Sequence, residues 1–300
     1  MVKMSQILTR KVLRLFFCQA LCFAGNNESR KVIQQMAEHG ENRVIIVGAG
    51  PGDPELLTVR GAAAIREADV ILYDCGTVEP VLALASERAA IVRVDRSPYE
   101  TGKGRREQTP MIVAIREHRE KGLRVVRLKT GDPALFGGEV DEGDVLTRLG
   151  IPWAVIPGIS AGAAAASAYA LPISRKFESD AVLNIIAATI TDDFALIRDA
   201  ARLLGHGATV VFYMATANLP GILRVFREEG VADGTPVVAV SKAGWPGEAF
   251  VRTTLDKLGR EEFSAVLPEP VVYHIGRYVR VRNVPVGSKE LSSKIAESAG

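Results

Sequence analysis

The sequence feature that most restricts the fold is an alternation of short apolar runs with amphipathic segments, which begins at Arg43. The run 43–48 ends at a glycine and is typical of a buried parallel strand. Segments 56–68 and 109–121 carry apolar residues at helical spacing, and Gly61 lies on the face that would pack on a sheet. This alternation predicts a parallel, helix-covered sheet, because crossover helices join parallel strands. Its strands are predicted at 43–48, 70–73, 90–94, 124–128 and 153–156.

A second α/β unit is predicted after a break at Pro157-Gly158. A helix of small residues at 161–170 follows the break, and further strands and helices alternate behind it. Their predicted ranges are 182–186, 209–213, 237–240 and 271–275 for strands, and 193–204 and 219–229 for helices. The fold class is therefore α/β, with two α/β domains and a ligand cleft between them. The predicted organisation is an N-terminal extension at 1–42, domains at 43–157 and 158–282, and a tail at 283–300.

Composition excludes several classes of protein. The 37 basic and 35 acidic residues give a net charge of +2, which argues against a protein built to bind nucleic acid. No apolar run reaches the ~18 residues that a membrane-spanning helix needs, so no membrane association is expected. Three cysteines are too few for a disulfide framework, and no histidine or further cysteine completes a metal set with Cys18 and Cys22. We therefore expect no bound metal and a cytoplasmic location, where thiols stay reduced.

The N-terminal residues allow two interpretations. Residues 10–25 combine a charged segment with a short apolar stretch, as a targeting peptide does. Gln19 interrupts the apolar stretch and no small-residue cleavage site closes it, which favours a peripheral helix or a non-essential extension.

The first glycine-rich turn, Gly48–Asp53, follows a strand and precedes a helix, as a dinucleotide-binding loop does. Asp53 stands at the third glycine position, and the following proline makes it an N-cap residue. A carboxylate at this helix terminus repels the pyrophosphate that would bind there. The turn therefore counts against a nucleotide-binding oxidoreductase, which we keep only as an alternative function.

Two further glycine-rich turns follow predicted strands. They occupy residues 129–137 and 155–160, at the carboxyl ends where open α/β sheets bind ligands. Each turn alone is explained by strand-to-helix geometry. Three of them around one break between two units predict a ligand cleft.

The motifs in these turns resemble those of a known family. They are VGAGPGDPELLT at 47–58, LYD at 72–74, VVRLKTGDPALFG at 125–137, VIPGISA at 155–161 and VVFYMATANLP at 210–220. Together they resemble the tetrapyrrole methyltransferases, and among these the branch that methylates uroporphyrinogen III. The resemblance implies a class III methylase-like fold, S-adenosyl-L-methionine as cofactor, a tetrapyrrole substrate on the route to sirohaem or cobalamin, and a homodimer.

The resemblance also implies which residues form the site. Asp74 is the candidate catalytic carboxylate that helps remove a proton, although it could instead cap a turn. Met214 is a candidate cofactor contact, although a gap-filling core position is equally consistent with the pattern. The implied cofactor-binding residues are Pro51, Thr130, Gly131, Asp132, Leu135, Ser160, Ala161, Met214, Ala239 and Val271. The implied substrate-binding residues are Lys103, Arg106, Asp141, Arg175 and Lys176, mostly cations suited to a polycarboxylate.

Two departures from the family pattern keep the substrate open. Gly138 stands where the uroporphyrinogen branch has an arginine, and Asp141 and Glu142 place carboxylates close to where a polyanion would dock. The segment Gly244–Glu248 is more similar to the branch that methylates precorrin-4. A precorrin-4-type methyltransferase, or the same cofactor with a non-tetrapyrrole acceptor, therefore stays an alternative.

Asp132 carries a specific hypothesis about charge. An aspartate before a proline can close its own turn through backbone N–H groups, but its charge would also favour the cationic groups of the cofactor. We expect the charge to matter, so that Asp132→Asn weakens cofactor binding while protein stability changes little.

Overall fold

Strands and helices alternate along most of the computed structural model, which describes residues 43–95, 106–136, 142–190, 193–258 and 267–291. The described residues from Val44 onward belong to one unit. The strands are β1 Val44–Gly48, β2 Val70–Tyr73, β3 Ala90–Arg93, β4 Val125–Lys129, β5 Trp153–Ile156, β6 Val182–Ile186, β7 Thr209–Tyr213, β8 Pro236–Ser241, β9 Ala249–Thr254, β10 Val271–Ile275 and β11 Lys289–Glu290. The α-helices are α1 Val59–Glu67, α2 Pro110–Glu120, α3 Glu142–Arg148, α4 Ala161–Ala168, α5 Ala195–Gly205, α6 Leu219–Glu228 and α7 Leu255–Leu258. Short 3₁₀ helices cover Pro54–Leu56, Gly76–Leu84, Arg106–Gln108, Ala187–Thr189 and Thr216–Asn218.

The first sheet has the strand order β3-β2-β4-β1-β5, and every pairing in it is parallel. Its central strands are buried because helices cover both faces, as their continuous apolar sequences predict. The expected parallel sheet is therefore present. All five strands point the same way, so their carboxyl ends and the turns that follow them lie at one edge.

The second sheet has the order β11-β9-β8-β10-β7-β6 and mixed strand directions. β10 is antiparallel to both β7 and β8, and β8 is antiparallel to β9, whereas β6 and β7 are parallel. The α/β fold class is confirmed, with one sheet formed by residues 44–156 and the other by residues 182–290. The division between domains at 157 and 158 stays a prediction.

The structure differs locally from the predicted elements in several places. The helix predicted at 56–68 is a 3₁₀ turn at Pro54–Leu56 followed by α1, because the Thr58 hydroxyl accepts the Gly61 N–H and starts a new helix. β9 was not predicted from the sequence. The tail predicted from 283 includes β11, which pairs with β9 and is held by the Arg252–Glu290 ion pair.

Two properties bear on function classes. None of the helices in the described ranges combines the length and the hydropathy that crossing a lipid bilayer requires. In the same part of the chain, no three His, Cys, Asp or Glu side chains gather where they could hold a metal ion.

His274 in β10 makes the stability of the fold sensitive to acid. Its side chain is fully buried, its Nε2 donates to the Gly162 carbonyl at 3.0 Å, and burial lowers the pKa of the imidazole to about 4. The unfolded chain binds a proton near pH 6.5 whereas the folded chain does not. The free energy of unfolding should therefore fall as the pH drops from about 6.5 to 4, by roughly 3 kcal/mol in total.

Urea unfolding at a series of pH values measures this effect. His274→Gln should flatten the pH dependence in that window, whatever its stability at pH 7. His206→Gln, at an exposed position after α5, is the matched control and should retain the wild-type slope. An unchanged slope in His274→Gln would assign the acid sensitivity to other groups.

Candidate functional site at the carboxyl edge of the first sheet

The turns after β1 and β4 form one hydrogen-bonded backbone unit. Gly131 N–H donates to the Gly50 carbonyl at 2.8 Å, and Gly50 N–H donates to the Gly131 carbonyl at 3.2 Å. Ala49 N–H donates to the Lys129 carbonyl at 2.8 Å, which extends the pairing of β1 with β4. Gly50 and Gly131 have φ of +71° and +67°, a left-handed conformation that glycine adopts without strain. The two glycine turns are thus held together by their backbones.

The third glycine turn packs against the other two without room for side chains. A Cβ on Gly158 would lie 2.1 Å from the Gly131 carbonyl oxygen, and a Cβ on Gly48 would lie 2.5 Å from the Gly158 nitrogen. These contacts involve backbone atoms, which have little freedom to move aside. The structure therefore brings together the three turns that the sequence analysis singled out.

Two of these turns share the same aspartate geometry. Asp53 Oδ1 accepts the Glu55 N–H at 2.8 Å and caps the 3₁₀ helix at Pro54–Leu56, as its sequence predicted. Asp132 Oδ1 accepts the Ala134 N–H at 2.8 Å, again two residues along the chain and with a proline between them. Asp132 therefore closes its turn, and its half-buried carboxylate lies on the turn after β4, directly after Gly131.

Residues of the second sheet reach the same edge through Tyr213, the last residue of β7. Its hydroxyl lies 3.3 Å from Ser160 Oγ and donates to Asn184 Oδ1 at 3.1 Å. Its ring makes an edge-to-face contact with Phe136 of the β4 turn, at 5.3 Å between centroids. Burial raises the pKa of the Tyr213 phenol, which keeps the hydroxyl protonated at neutral pH. Tyr213 thus connects the end of β7 to the turns of the first sheet.

Met214, next to Tyr213, is not a core residue. Its side chain is 53% exposed and its φ is +50°, an unusual backbone conformation for a residue other than glycine. Phe136 is also 40% exposed. A thioether that follows Tyr213 in the chain and an aromatic ring on the β4 turn are therefore left uncovered, as in a site that binds a partly apolar ligand.

A cluster of buried charges lies under the turns. The Arg127 side chain is 2% exposed, and its guanidinium contacts Asp74 Oδ1 at 3.0 Å and Glu142 Oε1 at 3.1 Å. Lys129 Nζ contacts the same Glu142 Oε1 at 3.1 Å. Burial by itself lowers the pKa of Arg127, but Glu142 and Asp74 more than offset this, so the pKa is raised above its ordinary value. These four residues, the Arg127 cluster, contain two positive and two negative charges.

The Arg127 cluster changes the interpretation of two acidic residues. Asp74 binds a guanidinium through Oδ1, which is a role beyond closing a turn. The Glu142 carboxylate, which the sequence suggested would repel a polyanion, is neutralised by Arg127 and Lys129. Two cationic side chains therefore lie next to the Glu142 carboxylate and offset its negative charge.

Most of the proposed cofactor-binding residues lie on these turns. Pro51, Thr130, Gly131, Asp132, Leu135, Ser160 and Ala161 come together there, and Met214 joins them beside Tyr213. Thr130 also shares a hydroxyl–hydroxyl hydrogen bond with Thr77. Ala239 and Val271, in contrast, are buried in the apolar core of the second sheet. Their contact with a cofactor remains a prediction.

The proposed substrate-binding residues are only partly described. Arg175 and Lys176 are exposed, with Arg175 Nε 3.1 Å from Glu178 and its guanidinium 5.2 Å from the Tyr278 ring centroid. Lys103, Asp141 and the side chain of Arg106 lie outside the described residues.

Sequence reasoning missed several residues of this site. The sequence analysis places Arg127 within an apolar strand and Lys129 in the glycine turn that follows it, and it assigns no individual role to these two residues, to Tyr213 or to Trp245. The Arg127 cluster does have a sequence signal. It is a charged residue within a continuous apolar run, combined with acidic residues in the other motifs.

These features define a class of protein: an α/β protein with two sheets, in which glycine turns of the first sheet meet side chains of the second at a candidate small-molecule site. Residues 43–259 match the family of tetrapyrrole (corrin/porphyrin) methylases. The chain belongs to this family of methyl-transferring enzymes, which confirms the resemblance of its motifs.

Individual relatives match over most of the chain. It is 34% identical to the uroporphyrinogen-III C-methyltransferase of Pseudomonas aeruginosa, over 79% of this chain and 94% of the relative. It is 30% identical to the siroheme synthase of Hahella chejuensis over 88% of this chain, but spans only 57% of that relative's length.

Solved structures show the same fold. A cobalt precorrin-4 methyltransferase superimposes with a TM-score of 0.68 at 29% identity, covering 78% of this chain and 94% of the other. The uroporphyrin-III C-methyl transferase of Thermus thermophilus, solved with S-adenosylhomocysteine, gives a TM-score of 0.64 at 29% identity and covers 79% of this chain and 98% of the other.

Proposed function

We propose that this protein transfers methyl groups from S-adenosylmethionine to carbon atoms of a tetrapyrrole, with uroporphyrinogen III as the acceptor and precorrin-2 as the product. The observation that carries the proposal is the meeting of the three glycine turns, one of which carries the Asp132 carboxylate, with Tyr213 of the second sheet next to Ser160. The names of the relatives at 30–34% identity support the choice of acceptor.

The residues at this edge fit the chemistry of the proposed cofactor. S-adenosylmethionine carries an ammonium group, a sulfonium and an adenosine, and it has no phosphate. A carboxylate (Asp132), hydroxyls (Thr130 and Ser160) and uncovered apolar side chains (Met214 and Phe136) suit such a ligand. Asp53 caps the first turn and makes it unsuitable for a pyrophosphate, which counts against the nucleotide-binding alternative.

In this proposal the protein contributes alignment, exclusion of water and one proton acceptor. The cofactor, when bound, supplies an electrophilic methyl group. The turns hold the reacting partners in a fixed orientation, which lowers the entropic part of the barrier. Asp74 is proposed to accept a proton from the methylated ring. Its carboxylate is held by Arg127 at 3.0 Å and is 16% exposed, so it is fixed in place without being sealed from ligands.

Arg175 and Lys176 are proposed to bind substrate carboxylates. Both side chains are exposed, on a segment where Phe177 is also uncovered. Charged groups of this kind pair with carboxylates most effectively where the ligand excludes water. Lys103, Arg106 and Asp141 are kept in the same proposal on the strength of the motif resemblance.

A precorrin-4 methyltransferase is the second candidate. Its support is the structural similarity to cobalt precorrin-4 methyltransferase and the sequence of the turn Gly244–Glu248. Mass spectrometry of products separates the two candidates. Uroporphyrinogen III should gain two methyl groups, and a gain only on a precorrin-4-type acceptor would replace the first candidate by the second.

We also propose a cytoplasmic homodimer. The support is the family resemblance for the dimer and the low cysteine content for a reducing compartment. Light scattering coupled to size-exclusion chromatography should give twice the 32.2 kDa of one chain. A single-chain mass at micromolar concentration would contradict the dimer.

Asp132→Asn tests whether the carboxylate charge of Asp132 contributes to cofactor binding. Asparagine can still accept the Ala134 N–H through its side-chain oxygen, so the turn and the stability should change little. Affinity for S-adenosylhomocysteine should fall by about 1.5–3 kcal/mol, the scale of a hydrogen bond to a charged group.

Calorimetric titration of the wild type and the variant measures this difference. Asp193→Asn is the matched control, because Asp193 Oδ1 accepts the Ala195 N–H in the same two-residue geometry at the start of α5. Equal dissociation constants for wild type and Asp132→Asn would leave Asp132 with a structural role only.

A further inference from the structure

A tryptophan of the second sheet lies directly on the first glycine turn. Trp245, in the turn between β8 and β9, donates from Nε1 to the Pro51 carbonyl at 2.8 Å. The two residues are 194 positions apart in the chain. Pro51 is buried, so this indole satisfies a carbonyl group that has little access to water.

Glycines on both sides of the contact between Trp245 and Pro51 leave room for the indole. A Cβ on Gly52 would lie 1.8 Å from Trp245 Nε1, and a Cβ on Gly244 would lie 2.9 Å from Pro51 Cγ. The φ values of Gly52 and Gly244 are +146° and +74°, so both positions also favour glycine by conformation. The indole can lie on the first turn only because neither turn carries a side chain there.

The turn that carries Trp245 is itself held in place by Glu248. Glu248 Oε2 accepts the Gly244 N–H at 2.7 Å, and Oε1 accepts the Tyr169 hydroxyl at 2.7 Å. The backbone N–H of Trp245 donates to the Lys242 carbonyl at 2.9 Å. Tyr169 is fully buried, which anchors the carboxylate to the core of the second sheet. The indole therefore has a rigid support.

The position of the first turn affects the position of the other turns of the candidate site. Gly50, next to Pro51, forms two backbone hydrogen bonds with Gly131, and Asp132 follows directly. A shift of the Pro51 turn therefore shifts the backbone that carries the Asp132 carboxylate.

We propose that Trp245 is a positioning residue for the cofactor site: its indole holds the Pro51 turn, and with it Gly131 and Asp132, in the geometry that binds the cofactor. This inference rests on the proposed function. It assigns a role in cofactor binding to the β8–β9 turn, which carries none of the proposed cofactor contacts.

The first test compares Trp245→Phe with Trp153→Phe. Trp245→Phe keeps an aromatic ring but removes the N–H donor, and it should weaken S-adenosylhomocysteine binding about tenfold by calorimetry. The KM for S-adenosylmethionine should rise by a similar factor, whereas the KM for the tetrapyrrole should stay within about twofold. Trp153 lies at the start of β5, at the opposite edge of the first sheet, and also donates its Nε1 proton, to Thr147. Trp153→Phe should therefore lower stability without changing affinity.

A second measurement does not depend on the folding of Trp245→Phe. The chain has two tryptophans, so Trp153→Phe leaves Trp245 as the only indole. Saturation with S-adenosylhomocysteine should change the emission of this indole, because the ligand binds against the turn on which the indole lies.

The outcomes separate the inference from the proposed function. A wild-type chain that binds no S-adenosylhomocysteine would overturn both. A wild-type chain that binds it, with unchanged affinity in a folded Trp245→Phe, would overturn the inference alone. If that variant does not fold, unchanged emission of Trp245 on saturation would overturn it instead.

Discussion

Replacing Gly158 with alanine is expected to lower the free energy of unfolding by about 3 kcal/mol and to abolish detectable binding of S-adenosylhomocysteine. The new methyl carbon would lie 2.1 Å from the Gly131 carbonyl oxygen and 2.7 Å from the Gly48 carbonyl carbon. Both neighbours are backbone atoms of the turns that form the candidate site. The strain can be relieved only by separating the turns, so stability and binding should be lost together.

Gly205→Ala is the matched control for this substitution. Gly205 is the last residue of α5, its φ is not in the left-handed region, and a Cβ there would meet nothing within 4 Å. Alanine at this position should leave binding unchanged and stabilise the helix slightly. Urea unfolding and calorimetric titration give both quantities. A stable Gly158→Ala that binds normally would show that the three turns are not packed as described.

Arg127→Met should cost about 3 kcal/mol of stability, because it leaves Asp74 and Glu142 without their shared guanidinium. The two carboxylates are 16% and 15% exposed, so water compensates for only part of the loss. Lys129 still neutralises Glu142, whereas Asp74 loses its contact with the guanidinium. The catalytic rate should therefore fall more than the affinity for the cofactor.

Arg124→Met provides a comparison three residues away, at the position just before β4. Arg124 makes a paired contact with Asp69 at 2.9 and 3.0 Å, but its side chain is mostly exposed, so its loss should cost less than about 1 kcal/mol. Adding Asp74→Asn to Arg127→Met should recover part of the stability, since it removes the carboxylate that has lost its contact with the guanidinium. Equal costs for Arg124→Met and Arg127→Met would contradict the importance of burial for the Arg127 cluster.

The local signals in the first half of the chain were sufficient to predict its architecture. β1, β2 and β5 are apolar runs that end at or next to glycine, aspartate or proline, and such runs form parallel strands when helices alternate with them. The capping role of Asp53 followed from the proline after it. These predictions succeeded because each depends on neighbours within a few residues.

In the second sheet, local sequence patterns do not predict the direction in which the strands pair. The apolar pattern of β10 predicts a strand, but the same pattern suits parallel and antiparallel pairing, and β10 is antiparallel to both of its neighbours. β9 and β11 are defined by their pairing, and the short β11 depends on the ion pair between Arg252 and Glu290. Strand direction depends on how the chain connects one strand to the next in space. These connections are a property of the whole unit.

The sequence by itself determined the α/β class, the three glycine turns and the family, because short-range geometry and the ordered motifs are both properties of neighbouring residues. Only the tertiary structure decided that Arg127 is buried against Asp74 and Glu142, that Met214 is uncovered, and that the Trp245 indole lies on Gly52. Arg127 is 53 residues from Asp74, and Trp245 is 194 residues from Pro51. A buried charge or a buried carbonyl is stable only with a partner, and which distant residue supplies that partner is settled by how the sheets and turns pack.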